Sequence, residues 1–287
     1  MKTLQAPSSP PPFMDSFIAI RDSMQFTPNG PRARLTGRHR AITTRYAVLE
    51  DSVALNTLST ITPSTYLSPL KDDFEVTYTG NSQALRTLKK RIRGVQAAGV
   101  LTVCPMCKIS LPRTFDHYFP LGTFPEFAVH PLNLVPSCNT CNSKKLEAWL
   151  NENGDRICLY FYSDSVPQVP FIRCALTLPQ LGGHNVGVTF LLERPVGLRL
   201  ARWDPIVRHF TRLGLIDRYN EIGNDELSEV FSSARDFLDN GGPRRRVRGF
   251  IRSAAVRFAD VHGASYWRTE LRRQVAMSPA LFTWLGR

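Results

Sequence analysis

The stretch CPMCKISLPRTFDHYFP, residues 104–120, and the stretch PLNLVPSCNTCNSKK, residues 131–145, decide the fold of this part of the chain. Each contains a Cys-x-x-Cys pair, Cys104 with Cys107 and Cys138 with Cys141. Two such pairs, thirty residues apart, supply four thiolates, and zinc binds four thiolates tetrahedrally. An all-cysteine site leaves no open position for a substrate. The spacing therefore predicts a structural Zn²⁺ ion that ties the start of this segment to its end.

The polar residues among the cysteines need a separate explanation, because zinc does not use them. They are Asp116, His117, Asn133 and Asn142. With the cysteines, the motifs CPMC, FDHYFP and PLNLVPSCNTCNSKK resemble the HNH endonucleases of the ββα-metal (His-Me finger) class, in their zinc-stapled form. The resemblance covers about residues 101–147. It matches His117 to the first family position, Asn133 to the middle one and Asn142 to the last, where the family often has histidine.

The resemblance implies a metal-dependent endonuclease that hydrolyses phosphodiester bonds, with duplex DNA the commoner substrate of the family. His117 would be the general base, because a neutral imidazole can take a proton from water near pH 7. Asp116 and the amide oxygen of Asn142 would hold Mg²⁺ or Mn²⁺, since hard cations prefer oxygen ligands. Asn133 does not titrate and would hold the loop and the imidazole ring in place.

The adjacency of Asp116 and His117 raises a geometric question. In a regular strand, neighbouring side chains point to opposite faces. A bulge or turn could instead aim both side chains at one phosphate. The family hairpin is similar to the second case, so the resemblance favours it.

Basic residues surround the motifs and suggest a polyanionic partner. The net charge is +12, with 36 Lys and Arg against 24 Asp and Glu. We predict phosphate-backbone contacts for two groups: Lys89, Lys90, Arg91 and Arg93 in a helix over 83–98, and Lys144 and Lys145 in a helix that starts near Cys138. A solvated helix face explains either group as well, and charge runs usually have that role. His130 is interpreted as a loop or packing histidine.

The whole chain is predicted to be α+β, with a small ββα core between flanking regions. Residues 1–45 form a Pro- and Arg-rich arm, mobile or loosely docked in its first thirty residues; residues 46–100 are helical, including a helix over 46–61; residues 101–150 are the zinc core; residues 151–287 are strands followed by helices. The expected strands are 156–162, 171–178 and 186–193. The expected later helices include one through 227–238, one through 247–261 and one over 265–276. Cys158 and Cys174 are predicted to be core residues.

Two further expectations concern the setting. No apolar run approaches a membrane span and no secretory signal is visible, so a cytoplasmic protein with no membrane partner is expected. Similarity to stand-alone zinc HNH proteins with helical extensions implies an effector of bacterial anti-phage defence with a protein partner such as an ATPase. The alternative is a non-catalytic zinc module that binds nucleic acid or recruits a partner.

Overall fold

The computed structural model describes residues 2–7, 12–177 and 186–286. Helices and small sheets are mixed, which agrees with the predicted α+β class. The chain divides into two compact units. The first unit is Thr3–Ser165, and the second is Val166–Arg287 with Met1–Lys2. Apart from residues 1 and 2, the predicted arm, helical region and zinc core all lie in the first unit.

Five helices open the first unit. They are α1 (Phe13–Asp22), α2 (Pro31–Gly37), α3 (His39–Ala54), α4 (Lys71–Thr79) and α5 (Gln83–Gly94). The prediction of a mobile or loosely docked arm is wrong for α1, whose Phe13, Phe17 and Ile20 are buried. Those three side chains recur at helical spacing, so a helix here buries one apolar face. Residues 8–11 of the SSPPP run lie outside the described residues.

The other N-terminal expectations hold with shifted boundaries. The helix expected over 46–61 is α3, which begins at His39 and ends at Ala54. The helix expected over 83–98 is α5, which ends at Gly94. Its apolar stripe is confirmed, because Leu85, Leu88 and Ile92 are buried. The hydroxyl of Ser82 accepts a hydrogen bond from the backbone N–H of Leu85 at 3.2 Å and caps the helix start.

A short hairpin and a helix follow in the cysteine-containing segment. Strand β1 (Thr114–His117) pairs antiparallel with β2 (Leu134–Ser137), and α6 (Asn139–Lys145) comes next. The pairing is continuous over all four positions, from Thr114 opposite Ser137 to His117 opposite Leu134. The expected bulge is therefore absent from this ladder. His117 is the last residue of β1, so the strand ends there instead of kinking.

The prediction of a strand over 156–162 is wrong. Only Arg156 makes a backbone bridge there, to Leu150, while the following residues are buried in irregular structure. Side-chain hydrogen bonds replace a strand partner. The hydroxyl of Tyr160 donates to the carbonyl of Leu132 at 2.8 Å, and that of Tyr162 donates to the carbonyl of Leu134 at 2.7 Å. The apolar run resembles a strand because it is buried, but its partners are loop and strand carbonyls reached by side chains.

The second unit joins a two-stranded sheet to a helical layer. Strands β3 (Ile172–Thr177) and β4 (Gly187–Leu192) pair antiparallel, which confirms the strands expected at 171–178 and 186–193 within the described residues. Its helices are α7 (Leu200–Leu213), α8 (Leu215–Asp239), α9 (Val247–His262), α10 (Trp267–Met277) and α11 (Leu281–Trp284). These confirm the three later helices.

Helix α8 packs closely on β4 because Gly223 leaves room for the strand's side chains. A Cβ atom at Gly223 would lie 2.8 Å from both Phe190 and Val188. The ring of Tyr219 stacks on Trp267 with centroids 5.6 Å apart. Trp267 is thereby part of an ordinary aromatic core. Among the described residues, no helix is both long enough and apolar enough to cross a membrane.

The hydrogen bond from Tyr162 to β2 gives a direct test of this fold. Tyr162→Phe removes the buried donor and leaves the carbonyl of Leu134 without it. We expect the free energy of unfolding to fall by about 1 to 2 kcal/mol, measured by urea denaturation. Tyr66→Phe is the matched control, since Tyr66 is 57% exposed, and it should change stability by less than about 0.5 kcal/mol. Equal effects of the two variants would contradict the assigned hydrogen bond.

Candidate functional site

The four cysteines of the two Cys-x-x-Cys pairs meet in one buried cluster. The Sγ atoms of Cys104, Cys107, Cys138 and Cys141 all lie within 4.8 Å of one another. Those of Cys107 and Cys138 are 3.8 Å apart. A tetrahedral Zn²⁺ at about 2.3 Å from each sulfur places the sulfurs about 3.8 Å apart. The cluster could therefore hold a zinc ion with little adjustment.

Backbone groups near the cluster shape it as a ligand site. The N–H of Cys138 donates to the Sγ of Cys104 at 3.3 Å. The N–H of Lys108 donates to the carbonyl of Cys104 at 2.8 Å, and Lys108 has a φ of +57°. This tight turn keeps the first pair of sulfurs on one side of the chain. The N–H of Cys138 favours the thiolate form of Cys104, which is the form that binds metal, whereas burial raises the pKa of this thiol. Cys158 and Cys174 are buried but lie outside the cluster, as predicted.

Asn133 is a buried clamp for the loop that joins β1 to β2. Its Oδ1 accepts from the N–H of Phe119 at 2.7 Å. Its Nδ2 donates to the carbonyls of Phe119 at 3.1 Å and Phe127 at 3.0 Å. The side-chain amide thus joins the two ends of the loop, and nothing of it reaches the cavity described below. The geometry agrees with the predicted holding role and gives Asn133 no direct contact with a substrate.

His117 is held by the same loop. Its Nε2 lies 2.8 Å from the carbonyl of Ala128. A carbonyl only accepts, so Nε2 carries the proton and Nδ1 has the free lone pair. Tyr78 of α4 packs edge-on against the imidazole, with ring centroids 4.4 Å apart. These two contacts fix the ring in one orientation.

The imidazole is kept neutral by its surroundings. Burial lowers the pKa of His117 to about 4, the hydrogen bond to Ala128 opposes this, and the positive charges of Lys145 and Lys89 lower it further. The residue as a whole stays partly exposed, at the end of β1. Near pH 7 His117 therefore presents an unprotonated Nδ1, which is the form that a general base needs.

Asp116 forms a buried ion pair with Lys145. Their Oδ2 and Nζ atoms are 3.1 Å apart, and both side chains are almost fully buried. The Nζ of Lys145 also donates to the carbonyl of His117 at 2.8 Å. Burial raises the pKa of Asp116 to about 6, although Lys145 acts to lower it. The carboxylate is therefore ionised near pH 7 but poorly solvated, a state that a bound cation would relieve.

A single cavity brings three of the predicted site residues together. It has a volume of about 250 Å³ and is lined by Asp116, His117, Pro120, Leu121, Asn142, Ser143, Leu146 and Glu147. Asp116 and His117 share it without a bulge because the cavity lies at the end of β1. Asn142 reaches it from the middle of α6. The carboxylate and amide oxygens there suit a hard divalent cation, so the donor set fits Mg²⁺ or Mn²⁺.

The basic residues predicted to contact phosphate differ in exposure. Lys145 is fully buried in the pair with Asp116, so it does not lie on a solvated face of α6 as a phosphate contact would require. Lys144 and Lys90 are exposed, and Arg91 is partly exposed. Lys89 and Arg93 turn from α5 toward the hairpin, with the Nζ of Lys89 4.1 Å from the centre of the Tyr78 ring.

Sequence reasoning missed Tyr78, the carbonyl of Ala128 and Glu147. Tyr78 lies on a helix far from the motifs in sequence, and a carbonyl has no residue signature. Glu147 follows α6 and lines the cavity. Its carboxylate lies against Gly122, where an added Cβ atom would be 2.4 Å from the Oε2 of Glu147. Its position five residues after Asn142 could have drawn attention to it. His130 is a packing residue, as predicted, because it is fully buried and its ring lies 4.2 Å from that of Tyr46.

Zinc content tests the cysteine cluster. The purified chain should carry about one zinc ion per molecule, measured by elemental mass spectrometry. Cys104→Ala should lose that zinc and lower the thermal stability, since metal binding contributes to folding. Cys158→Ala is the control, because Cys158 is a buried cysteine outside the cluster. Full zinc occupancy in Cys104→Ala would contradict a site of four thiolates.

The lowered pKa of His117 predicts an acid-sensitive contribution to stability. The unfolded histidine gains a proton near pH 6.5, whereas the folded one does so only near pH 4, so falling pH favours the unfolded chain across that window. Between pH 7 and pH 5, wild type should lose about 2 kcal/mol more unfolding free energy than His117→Gln. The glutamine does not titrate and its Nε2 can still donate to Ala128.

Urea denaturation at several pH values, with zinc in excess, measures this difference. Asp116 shifts stability in the opposite direction, since its folded pKa is raised, but it does so in both proteins and cancels to first order. Curves of stability against pH that run parallel for the two proteins would show that His117 is not buried as described.

Comparison with known proteins gives no activity for this chain, so the functional argument rests on the geometry of the cavity. Protein ea31 of Escherichia phage lambda is 30% identical over 145 residues, which covers 47% of this chain and 45% of ea31. The chain thus spans less than half the length of that curated relative. No protein-family model matches the sequence, and no solved structure matches it. The name of the phage protein states no activity. The match therefore identifies a relative of part of the chain but says nothing about its chemistry.

Proposed function

We propose that the chain is a metal-dependent endonuclease of the HNH type that hydrolyses phosphodiester bonds, with duplex DNA as its substrate. The observation that carries the proposal is the shared cavity of Asp116, His117 and Asn142, beside a hairpin and helix tied together by four cysteines. A zinc-stapled binding module needs the cysteines. It has no need of an oriented, neutral imidazole and a buried carboxylate that open into one cavity.

His117 is the general base in this proposal. With Nε2 donating to Ala128, Nδ1 can accept a proton from a water molecule in the cavity. A free pKa of about 4 makes a weak base at neutral pH. A bound phosphodiester brings negative charge next to the ring, which favours the protonated form and raises the pKa. The base is thus strengthened when substrate is present, where the proton transfer is needed.

Oxygen donors that line the same cavity would hold the cation. Asp116 and Asn142 are the proposed ligands, and Glu147 lines the same cavity as a further carboxylate. A bound Mg²⁺ or Mn²⁺ ion would supply charge stabilisation at the phosphate and at the departing oxygen. Lys145 keeps the Asp116 carboxylate in place from the protein side. Asn133 positions the loop whose Ala128 carbonyl orients His117.

One observation favours the alternative of a non-catalytic zinc module. Lys145 already supplies a positive charge to Asp116, so the carboxylate has a partner without any cation. In that case the cavity would bind no metal and the chain would act by holding nucleic acid or a partner protein. The expected role in anti-phage defence, with a partner such as an ATPase, rests on the resemblance alone and stays a prediction.

Plasmid cleavage tests the proposal. Purified chain with Mg²⁺ or Mn²⁺ titrated should convert supercoiled plasmid to nicked or linear forms. His117→Gln should lower the rate by about 10² to 10⁴-fold, the usual contribution of a general base, because it keeps the hydrogen bond to Ala128 but has no basic nitrogen.

His39→Gln is the matched control, since His39 is exposed at the start of α3 and far from the cavity in sequence. It should cut at the wild-type rate. Absence of cutting by wild type under every metal concentration, with DNA binding the same in wild type and His117→Gln, would exclude a nuclease that acts without a partner and favour the binding module.

A further inference from the structure

The second unit takes nearly all of its positive charge from arginine. Residues 166–287 contain eighteen arginines and no lysine, and residues 240–287 contain ten arginines against two acids. A guanidinium stays charged at any physiological pH, and its planar fork matches the oxygens of phosphate. The composition therefore favours a phosphate-bearing partner over general solubility, for which lysine would serve as well.

Five of these arginines gather where α9 begins, and together they form what we call the arginine ridge: Arg244, Arg245, Arg246, Arg248 and Arg252. Arg244–Arg246 form a single turn that leads directly into α9. Arg248 and Arg252 follow one helical turn apart, about 6 Å along the axis and on the same side. Arg245, Arg246 and Arg252 are exposed.

Two members of the ridge are held by aromatic and backbone contacts. The guanidinium of Arg244 lies 4.4 Å from the centre of the Phe282 ring, and that of Arg248 lies 5.5 Å from it. Arg248 also donates to the carbonyl of Ala276. Stacked guanidinium groups lose less freedom when they bind a ligand, so these contacts pre-organise the ridge.

The backbone under the ridge is also constrained. The turn between α8 and α9 contains Gly241, with a φ of +82°, and Gly242, whose Cβ would lie 2.3 Å from the carbonyl oxygen of Phe237. The rings of Phe237 and Phe250 stack across the turn with centroids 4.8 Å apart. The ridge therefore sits on a fixed corner, which suits a rigid partner.

The ridge opposes the electrostatics of its own helix. The first turn of α9 has no acidic residue, and cations at a helix N-terminus lie at the positive end of the dipole. Within the described part of the chain, no carboxylate lies at ion-pair distance from Arg245, Arg246 or Arg252. Such repulsion lowers stability. A local arrangement that costs stability points to an external ligand, here an anion.

We propose that the arginine ridge binds the phosphate backbone of duplex DNA. Single strands are bound mainly by stacking on open aromatic faces, whereas Phe282 is occupied by Arg244 and Arg248. A membrane-surface helix must expose its apolar stripe, whereas the stripe of α9, Val247, Ile251 and Ala255, is buried. Two other apolar residues of α9 are exposed, but Phe250 stacks on Phe237 and Val256 by itself forms no stripe. The ridge goes beyond the proposed function, because it assigns affinity to the second unit and does not require cleavage.

The salt dependence of the affinity for duplex DNA tests the contribution of the arginine ridge. The probe is a fluorescent duplex of mixed sequence, titrated with the full chain by anisotropy at about 50 to 200 mM NaCl without divalent metal. The triple variant Arg245→Ala, Arg246→Ala, Arg252→Ala should bind at least about tenfold more weakly. Its slope of log affinity against log salt should be smaller by about 3, because each guanidinium that neutralises a phosphate contributes about one unit.

The control removes the same charge elsewhere in the unit. Arg194→Ala, Arg199→Ala, Arg212→Ala changes three exposed arginines outside the ridge. It should weaken binding by less than about threefold. Thermal unfolding separates binding from folding, because the ridge variant should be at least as stable as wild type once the repulsion is relieved.

Each other outcome overturns the proposal. Equal weakening in the two triple variants would show that only net charge matters. A ridge variant with wild-type affinity would show a merely solvated face. If wild type preferred single strands, or vesicles with anionic headgroups, and the ridge variant bound them more weakly, the ridge would be assigned to that partner instead. Binding is measured without divalent metal and without cleavage, so failure of the nuclease proposal leaves this result readable.

Discussion

The contact among four cysteine sulfurs is the constraint on which the candidate site depends. Strands β1 and β2 have four residues each, and an isolated hairpin of that size is marginal in water. The cluster joins the chain before β1 to the residues that open α6. It thereby sets the distance between Asp116 on the strand and Asn142 on the helix. A zinc ion bound there would stabilise the segment and also fix the geometry of the cavity.

The polar groups on this scaffold have pKa values that differ from those of the same groups in water. Burial pushes the pKa of Asp116 up to about 6 and that of His117 down to about 4, so the two titrations work against each other as pH falls. Both shifts reflect unfavourable burial that packing elsewhere must offset. Lys145 reduces the cost for Asp116 and, by its charge, increases it for protonated His117. One buried lysine thus favours the protonation states that the proposed reaction needs.

The features that depend on local residue spacing could be predicted from the sequence, whereas those that depend on long-range packing could not. The Cys-x-x-Cys pairs, the helical stripe of α5 and the order of hairpin and helix are visible because each is specified within a few residues. The burial of Lys145 was not predictable, since a lysine after Asn142 has the pattern of a solvated charge. The prediction of a strand at 156–162 was wrong because a run of buried apolar residues has the same sequence pattern in a strand and in a buried irregular segment. Here the segment is held by hydrogen bonds from tyrosine hydroxyls and not by a strand partner. The helix α1 was missed because its apolar spacing follows a proline-rich run.

The two units differ in their lysine content: residues 3–165 contain six lysines and eleven arginines, whereas residues 166–287 contain eighteen arginines and no lysine. All lysines of residues 3–165 lie at or before Lys145, and two of those nearest the cavity, Lys89 and Lys145, are partly or fully buried. Buried cations adjust neighbouring pKa values and add little to long-range attraction of a polyanion. The exposed arginines of the second unit contribute to that attraction, because their charge is fixed and lies in solvent. On the two proposals together, affinity and chemistry are carried by different residues: removal of ridge charge weakens DNA binding, whereas removal of the His117 imidazole slows cleavage.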